Sequence, residues 1–360
     1  MKDKSPFVPK YKQVYESIAQ RILCGEFPEG ARLPCERELC EHYQVKRVTV
    51  RRALEMLDSN GLAEKRHGLG TYVKAADKPQ SINRDTVVFA MRRNQNDIRH
   101  NVNAFNAMLF FLLEQCCHEH GLRLQYTGLD ENVVEPQLTA PHVLGVMLIS
   151  HHEAGVAEKL WKRGMPTICV NHRERQAVSL LPDNFNGIRL AVEHLKALGH
   201  THIGMIGGPV VNINAEERLM GYQYGLLEQG LTIANELIAP GLWTMESGRE
   251  AMVHLMQLSP RPTAVIAASD MMAIGAIDAA CRLNLSVPKD VSIVGFDGID
   301  MGLYCSPPLT TIGMDARALA RLSVEAMLHA ASSPERAHDN HIIRLPPTLI
   351  VRQSTTHSSD

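Results

Sequence analysis

The segment from Leu33 to Val73 reads LPCERELCEHYQVKRVTVRRALEMLDSNGLAEKRHGLGTYV and carries the clearest fold signal in the chain. Pro34 suits the first turn of a helix, where no backbone N–H is needed, and a first helical pattern follows it. A second helical pattern begins at Arg47, with apolar residues on one face and arginines on the other, and Asn60-Gly61 ends it. Glycines beside His67 predict a hairpin because glycine tolerates positive φ. The segment therefore predicts a helix, a turn, a basic helix and a two-stranded wing.

This order is that of a winged helix-turn-helix, a DNA-binding architecture. The motif LPxERELxxxxxVxRxTVRRALxxLxxxGL, followed by HGxGTYV, resembles the GntR-type winged-helix regulators, and the resemblance covers residues 1–75. Two positions depart from the family pattern, since Cys35 replaces the usual Ser and Lys46 replaces the usual Ser or Thr. Loss of an N-cap side chain at Lys46 would cost the second helix ~1 kcal/mol, unless the lysine instead contacts a phosphate.

The resemblance implies which residues of this domain contact DNA. They are Arg37, Arg47, Thr49, Arg51, His67 and Gly68, with Lys10 as an addition. Lys46, which departs from the family pattern, is a further candidate through a phosphate contact. Arg47 and Arg51 are four residues apart on one helical face, so both would enter the same groove. Each could pair with a guanine and discriminate it by ~1–3 kcal/mol. Arg37 and Thr49 suit phosphate contacts, which position a protein without reading sequence.

An alternative interpretation is that these arginines only form a solvated face. Acidic residues on the same two helices could neutralise them, namely Glu36, Glu55 and Asp58. The flanking motif favours the DNA-binding interpretation, because a solvated basic face does not require this leading helix and this wing beside it.

Composition and charge agree with a small basic domain on a larger acidic one. The chain has 360 residues with 45% apolar and 21% charged content, which is typical of a globular protein with two or three domains. Residues 1–75 contain 14 Lys and Arg against 10 Asp and Glu, a net charge of +4, and the remainder contains 23 against 29, a net charge of −6. The sequence has no apolar signal region and no apolar run long enough to span a bilayer. The eight cysteines form no CxxC pair. We therefore expect a cytoplasmic protein with free thiols and no membrane partner.

Beyond a polar linker at residues 76–85, the pattern is α/β. Apolar runs typical of buried strands alternate with helical segments, which predicts doubly wound parallel sheets. Strands are predicted at 86–91, 122–127, 143–150, 167–171, 202–207, 236–240, 263–268 and 291–297, and helices at 104–120, 155–163, 184–198, 216–229, 247–258, 270–283 and 315–331. Residues 128–142 contain two prolines and predict a loop or a degenerate helix. We expect two lobes, one of residues 86–182 with 316–340 and one of residues 183–315 with 341–355.

This second region also resembles a known family. The stretches ERLMGYQYGLLEQG, RPTAVIAASDMMAIGAIDAA and LSVPKDVSIVGFDGIDMGLYCSPPLTTIGMD are similar to the effector domains of LacI/GalR-type repressors, whose fold is that of periplasmic sugar-binding proteins. The resemblance covers residues 86–355. Together with the GntR-type domain it resembles the arabinose repressors of the AraR type. It implies a homodimer that binds double-stranded operator DNA and a small-molecule effector, with a sugar as the expected effector and no cofactor.

In open parallel sheets, ligands bind at the carboxyl ends of the strands. Candidate effector-binding residues lie at such ends or where the resemblance places a cleft residue, namely Asn171, Arg173, Arg218, Trp243, Ser269, Asp270 and Asp297, with Arg92 as a weaker candidate. Asp297 would accept hydrogen bonds from hydroxyl groups, Arg218 would donate them, and Trp243 would offer a flat apolar face. The alternatives are a helix N-cap for Ser269 or Asp270 and a core position for Trp243.

Two other features of the sequence do not predict a functional site. Cys116 and His120 share a helical face, yet a metal ion needs three or four converging ligands, so we predict no metal site. Gly207-Gly208 follows a strand without a GxGxxG motif or a phosphate-binding lysine, and the sequence shows no catalytic constellation. We predict a transcription regulator, most simply a repressor. The alternative is a cytoplasmic small-molecule-binding protein, or an enzyme on a Rossmann-like scaffold.

Overall fold

The structure, a computed structural model, describes residues 9–23, 26–66, 69–74, 84–92, 104–129, 136–149, 155–175, 177–332 and 341–358. The chain forms two compact units, Met1–Asn83 and Arg84–Asp360. The boundary between them falls inside the predicted linker, most of which lies outside the described residues.

The first unit, called the head, is a winged helix-turn-helix. It contains α1 (Lys10–Leu23), α2 (Glu36–Tyr43), α3 (Arg47–Ser59), β1 (Ala63–Arg66) and β2 (Gly70–Val73), and the two strands pair antiparallel. Gln44 has a φ of 50° between α2 and α3, which turns the chain sharply enough for the two helices to pack. The fold predicted for this region is confirmed.

Apolar residues from every element of the head meet in one core. The fully or nearly buried members include Val14, Ile18, Leu39, Val50 and Leu57. Burying a side chain of this size stabilises a fold by about 1.5–3 kcal/mol, so the core holds the three helices together. The opposite face of α3 carries exposed side chains, among them Arg47, Val48 and Arg51.

The second unit, called the body, is α/β as predicted. Its described residues form two six-stranded sheets, with strand orders β13-β7-β6-β5-β3-β4 and β14-β12-β11-β10-β8-β9. The strands are β3 (Thr86–Arg92), β4 (Arg123–Leu129), β5 (Val143–Ile149), β6 (Thr167–Val170), β7 (Val178–Pro182), β8 (Ile203–Ile206), β9 (Ile238–Ala239), β10 (Ala264–Ala267), β11 (Ser292–Asp297), β12 (Thr310–Met314), β13 (Ile342–Leu345) and β14 (Pro347–Ile350). All pairs are parallel except the edge strand β14, which runs antiparallel to β12.

Helices cover the two sheets and complete the α/β pattern. They are α4 (Ala104–Glu119), α5 (Val156–Trp161), α6 (Asn184–Ala197), α7 (Ile213–Glu228), α8 (Met245–Met256), α9 (Asp270–Arg282) and α10 (Ala316–Ser332). Among the described residues of the segment where a degenerate helix or loop was predicted, Pro136–Thr139 form a short 3₁₀ turn. Each sheet is buried among apolar helix faces, which explains why its strands are continuously apolar.

The predicted division into lobes is wrong at its last segment. Residues 341–355 were assigned to the second lobe, but β13 pairs in parallel with β7 in the first sheet. The following strand β14 pairs with β12 in the second sheet, so the chain changes lobe at Pro346. The sequence there is a single apolar stretch with two prolines, and nothing local distinguishes its two halves. Within the described chain, the other changes of lobe occur near Asp183 and Asp315.

The helices of the body do not suggest a membrane span. No described helix is long and apolar enough to cross a bilayer.

Candidate functional site

In the head, five of the eight predicted DNA-contacting residues have exposed side chains, and they lie on α1, α2 and α3 or at the N-cap of α3. Lys10, Arg37, Lys46, Arg47 and Arg51 are exposed, and Thr49 is half-buried. Lys46 is the N-cap residue of α3 and gives no side-chain cap bond, as its chemistry predicted. His67 and Gly68, the predicted wing contacts, lie outside the described residues.

Glu36 connects the two arginines that were predicted to read bases. Its carboxylate accepts a hydrogen bond from Arg47 Nε at 2.5 Å and one from Arg51 Nε at 3.0 Å. The two arginine side chains remain 70% and 55% exposed. Hydrogen bonds from Arg47 and then Arg51 hold the pKa of Glu36 below its usual range. The acidic partner foreseen in the solvated-face interpretation is therefore present, but it binds only the Nε side of each guanidinium and leaves exposed surface.

The third arginine of α3 has a different environment. The guanidinium of Arg52 lies 4.3 Å from the centre of the Tyr11 ring, a cation–π contact between α3 and α1. Arg52 therefore joins helices within the head, whereas Arg47 and Arg51 point toward the face that α2 and α3 share.

In the body, three predicted effector-binding residues adopt left-handed backbone conformations. Asn171, Trp243 and Asp297 have φ values of 54°, 64° and 118°, and they follow or end strands β6, β9 and β11. Such conformations cost about 1–3 kcal/mol each and persist where the surrounding structure holds them, often at functional sites. The strand ends predicted from the sequence are therefore strained as well as polar.

Arg218 is the centre of this group. Its side chain is only 4% exposed, its Nε donates to Asn184 Oδ1 at 2.8 Å, and one terminal nitrogen donates to the Ala268 carbonyl. The same nitrogen lies 3.4 Å from Asp297 Oδ1. The guanidinium stacks 3.7 Å from the centre of the Phe296 ring and 5.4 Å from that of Trp243. Burial lowers the pKa of Arg218, although the charge of Asp297 opposes this.

The charges of two buried carboxylates, Asp297 and Asp270, act on this arginine. Burial raises the pKa of Asp297 to about 6, against the charge of Arg218, which lowers it. Burial and then the charge of Asp297 raise the pKa of Asp270 to about 8. Burial thus disfavours the charged form of both carboxylates and raises the pKa of each.

The hydrogen bonds of Asp270 and Ser269 suit support of the site better than ligand contact. Asp270 accepts from Thr311 Oγ1 at 2.5 Å and from the Ile299 backbone at 2.8 Å, which ties the loop after β11 to α9. Ser269 accepts from the Met272 backbone at 3.3 Å and caps α9. The N-cap alternative therefore describes Ser269, and Asp270 holds the loop that presents Asp297.

Trp243 is half-buried and packs against the apolar core of the second lobe, so part of its surface fits the core alternative. Its indole ring lies against the backbone of Gly208, where a Cβ atom would overlap the ring. Asn171 also belongs to the group, since its side chain and carbonyl both accept from Asn214 Nδ2 at 3.1 Å. Arg173 is exposed and Arg92 lies half-buried at the end of β3. The structure thus brings together Arg218, Trp243 and Asp297, with Asn171 linked through Asn214.

Several residues of the site were missed in the sequence. Asn184, Asn214 and Glu217 are buried polar side chains that surround Arg218, and Phe296 supplies its stacking surface. Phe296 and Glu217 could have been found from their positions beside Asp297 and Arg218. Asn184 and Asn214 begin helices, where asparagine ordinarily needs no further explanation.

Cys116 and His120, the two residues that share a helical face in the sequence, contact each other through a hydrogen bond. His120 Nδ1 lies 2.9 Å from the Cys116 carbonyl oxygen, so the imidazole bonds to its own helix. In the parts of the chain that the structure describes, no group of three or more His, Cys, Asp or Glu side chains could hold a metal ion.

The two units match two known families. Residues 10–73 match the bacterial regulatory proteins of the gntR family, and residues 192–355 match the periplasmic binding protein-like domain. The HTH-type transcriptional regulator MalR of Streptomyces coelicolor is 35% identical over 240 residues, which are 63% of this chain and 69% of MalR. The HTH-type transcriptional repressor CytR of Escherichia coli is 34% identical over 258 residues, 71% of this chain and 72% of CytR. The chain belongs to the LacI-type transcriptional regulators.

The DNA-binding domain of this LacI-type regulator is of the GntR type. Among solved structures, a complex of the transcriptional regulator CelR with cellobiose covers 96% of this chain and 100% of its own, with a TM-score of 0.67 and 23% identity. That likeness concerns the fold. The predicted fold class and the predicted role of the protein, a DNA-binding transcription regulator that responds to a ligand, are confirmed, and both relatives are regulators rather than enzymes.

Proposed function

We propose that this regulator is a repressor that binds operator DNA as a homodimer and releases it when a neutral sugar binds beside Arg218 and Asp297. The head would place α3 in the major groove of each half-site, with Arg47 and Arg51 toward the base edges. A protein that acts on the chromosome works in the cytoplasm, which we propose as its location. Similarity to AraR-type repressors supports release rather than tightening.

The observation that carries the sugar proposal is the composition of the site around Arg218. One guanidinium and one carboxylate lie 3.4 Å apart between Phe296 and Trp243. Their charges cancel when Asp297 is ionised, which disfavours phosphorylated ligands and favours neutral ones. Planar charged groups pair well with adjacent hydroxyls, and an aromatic ring covers the apolar face of a sugar. CelR, with cellobiose bound, shows that this fold accommodates a sugar in a related regulator.

Calorimetry on the full chain tests this proposal. The ligands are L-arabinose, D-ribose, D-glucose, cellobiose and cytidine, and the test variant is Asp297→Asn. Asp300→Asn is the matched control, because Asp300 is an exposed carboxylate on the same loop. We expect heat with at least one sugar, at least a tenfold loss of affinity for Asp297→Asn, and no change for Asp300→Asn. Equal binding by wild type and Asp297→Asn would remove Asp297 from the site, and heat with cytidine alone would replace the sugar by a nucleoside.

A further inference from the structure

Two of the three places where the chain passes between the lobes lie side by side, next to a polar cluster that extends from the proposed effector site. The first passage runs from β7 through Asp183 into α6, and the third runs from β13 through Pro346 into β14. The backbone N–H of Asp183 donates to the Leu345 carbonyl at 2.9 Å, so these two passages lie side by side. A bend between the lobes must deform the chain at these points.

An ion pair spans the lobes at this position. Arg344, in the first-lobe strand β13, donates from both terminal nitrogens to Glu217 on the second-lobe helix α7, at 2.6 and 3.0 Å. The Glu217 side chain is 8% exposed and that of Arg344 is 35% exposed. A two-bond Arg–carboxylate contact has a defined geometry, and its strength grows as water is excluded. The relative orientation of the lobes therefore affects the energy of this pair directly.

One side-chain amide connects the ion pair to the proposed effector site. Asn184, which is fully buried, donates from Nδ2 to Glu217 Oε2 at 3.1 Å and accepts on Oδ1 from Arg218 Nε at 2.8 Å. Its Nδ2 also donates to Asn214 Oδ1 at 3.0 Å, and Asn214 in turn donates to Asn171 of the first lobe. The amide cannot rotate to follow Arg218 without altering its bonds to Glu217.

We propose that Asn184 and Glu217 are positioning residues that couple Arg218 to the inter-lobe ion pair with Arg344, so that a ligand on Arg218 changes lobe orientation. This inference rests on the proposed function, since it assigns the regulation of that site. A ligand that draws Arg218 toward itself weakens the bond to Asn184, frees the amide, and changes the geometry in which Glu217 meets Arg344. An effector can shift the lobes only by such a difference in contacts between the two states.

Hydrogen exchange of the full-length protein, measured by mass spectrometry without DNA or ligand, tests the coupling. The peptides that matter contain the backbone N–H of Asp183, which bonds the first passage to the third, and strand β13, which carries Arg344. We expect Glu217→Gln and Arg344→Gln to speed their exchange by roughly tenfold, which corresponds to about 1.4 kcal/mol of local stability. The matched control is Glu228→Gln, because Glu228 is also on α7 and pairs with Arg189 at 2.9 Å within the second lobe. It should leave these peptides unchanged.

A double-mutant cycle then separates coupling from simple loosening. Arg218→Lys removes the Nε donor to Asn184, so it should speed exchange at the passages in the wild-type background and add less than about twofold in the Arg344→Gln background. Where Arg218→Lys does not fold, Asp297→Asn takes its place because it removes a partner of Arg218 at the ligand side. The proposal would be overturned if the Arg218→Lys and Arg344→Gln substitutions accelerated exchange by independent factors that multiply in the double variant. It would also be overturned if exchange were the same in Glu217→Gln and wild type. Failure of the proposed function would appear separately, as absent sugar or DNA binding by the wild type.

Discussion

The carboxylate of Glu36 at the start of α2 lies 2.5 Å from Nε of Arg47 at the start of α3. Because Arg51 donates to the same carboxylate, one acidic side chain orients both arginines and offsets their mutual repulsion. One carboxylate thus holds both arginines that were predicted to read bases, and their side chains stay 70% and 55% exposed. Glu36 would act on DNA through the arginines rather than by its own contact.

Replacing Glu36 by Gln should therefore relax sequence preference more than it weakens binding. The variant loses a negative charge near phosphates, so its affinity for random duplex should rise or stay equal, while discrimination at the bases read by Arg47 and Arg51 should fall by about 1 kcal/mol or more. Selection from a random duplex library, applied to wild type and Glu36→Gln, measures both effects. An unchanged selected motif would mean that the arginines need no orienting partner. Glu41→Gln is the matched control, since Glu41 is exposed on the same helix and lies 3.8 Å from Arg37.

Arg52→Ala should affect the stability of the head and spare its sequence preference. The cation–π contact with Tyr11 is exposed, and such contacts contribute about 0.5–1 kcal/mol. Thermal unfolding should show a lower midpoint for the head, and the motif selected from the library should match that of the wild type. Arg47→Ala should show the opposite pattern, with an intact melting transition and a degraded motif. A degraded motif in Arg52→Ala would place that arginine among the base-reading residues.

Sugar affinity should rise with pH as Asp297 ionises. Burial raises the pKa of this group to about 6, and the ionised carboxylate is the form that accepts hydrogen bonds from hydroxyls without donating one. Calorimetry between pH 5 and pH 8 should therefore show tighter binding at the higher values, with the change centred near pH 6. In Asp297→Asn the remaining weak binding should vary little over the same interval. A wild-type affinity that falls as pH rises would contradict this role.

Asp270 should make the body less stable as pH rises toward 8. Its pKa is about 8 in the folded protein and ~3.9 when unfolded, so between these values the folded state binds more protons. The free energy of unfolding then decreases with increasing pH across this interval, and the contribution is present in full only below about pH 4. Urea unfolding of wild type and Asp270→Asn at several pH values isolates the group. The stability of the wild type relative to the variant should decline from pH 5 to pH 8, and a rising difference would refute the assignment.

Tyr304→Asp should weaken the proposed homodimer. Met301, Leu303 and Tyr304 are 46%, 47% and 86% exposed within four residues, an unusual run for a surface that contacts only water. A charge in that run should raise the dissociation constant of the dimer by tenfold or more, as light scattering after gel filtration would measure. Tyr224→Asp is the matched control, because Tyr224 is 51% exposed on a helix of the same lobe. A monomeric wild type, or equal loss in both variants, would exclude this surface as the interface.

Much of the architecture could be predicted because its causes are local. The helix-turn-helix depends on a capping pattern, an apolar stripe and a glycine-rich wing within about forty residues, and the α/β pattern depends on alternating apolar runs. The fold class and the two family resemblances were confirmed. The strands missed were Val178–Pro182, Thr310–Met314 and the two at the carboxyl end. These are short, and proline lies in or beside three of them, which weakens a strand signal.

The candidate site was predictable in part for a different reason. Strand ends of an open parallel sheet meet at one edge, so Asp297 and Trp243 could be named from the order of the elements together with the family resemblance. Whether they contact a ligand stays a prediction. The separate roles of Asp270, which ties the loop after β11, and Ser269, which caps α9, required their hydrogen-bond partners to be known.

Local patterns in the chain settle that it has a basic winged head and a body of apolar strands and amphipathic helices, since each pattern is read over neighbouring residues. Only three-dimensional packing decides that Glu36 holds two arginines of another helix, that β13 and β14 belong to different lobes, and that Asn184 joins Arg218 to the Glu217–Arg344 pair. The side-chain partners named here are 11 to 127 residues apart. Contacts at such separations depend on how whole elements pack, and a side chain's own neighbours in sequence carry little information about them.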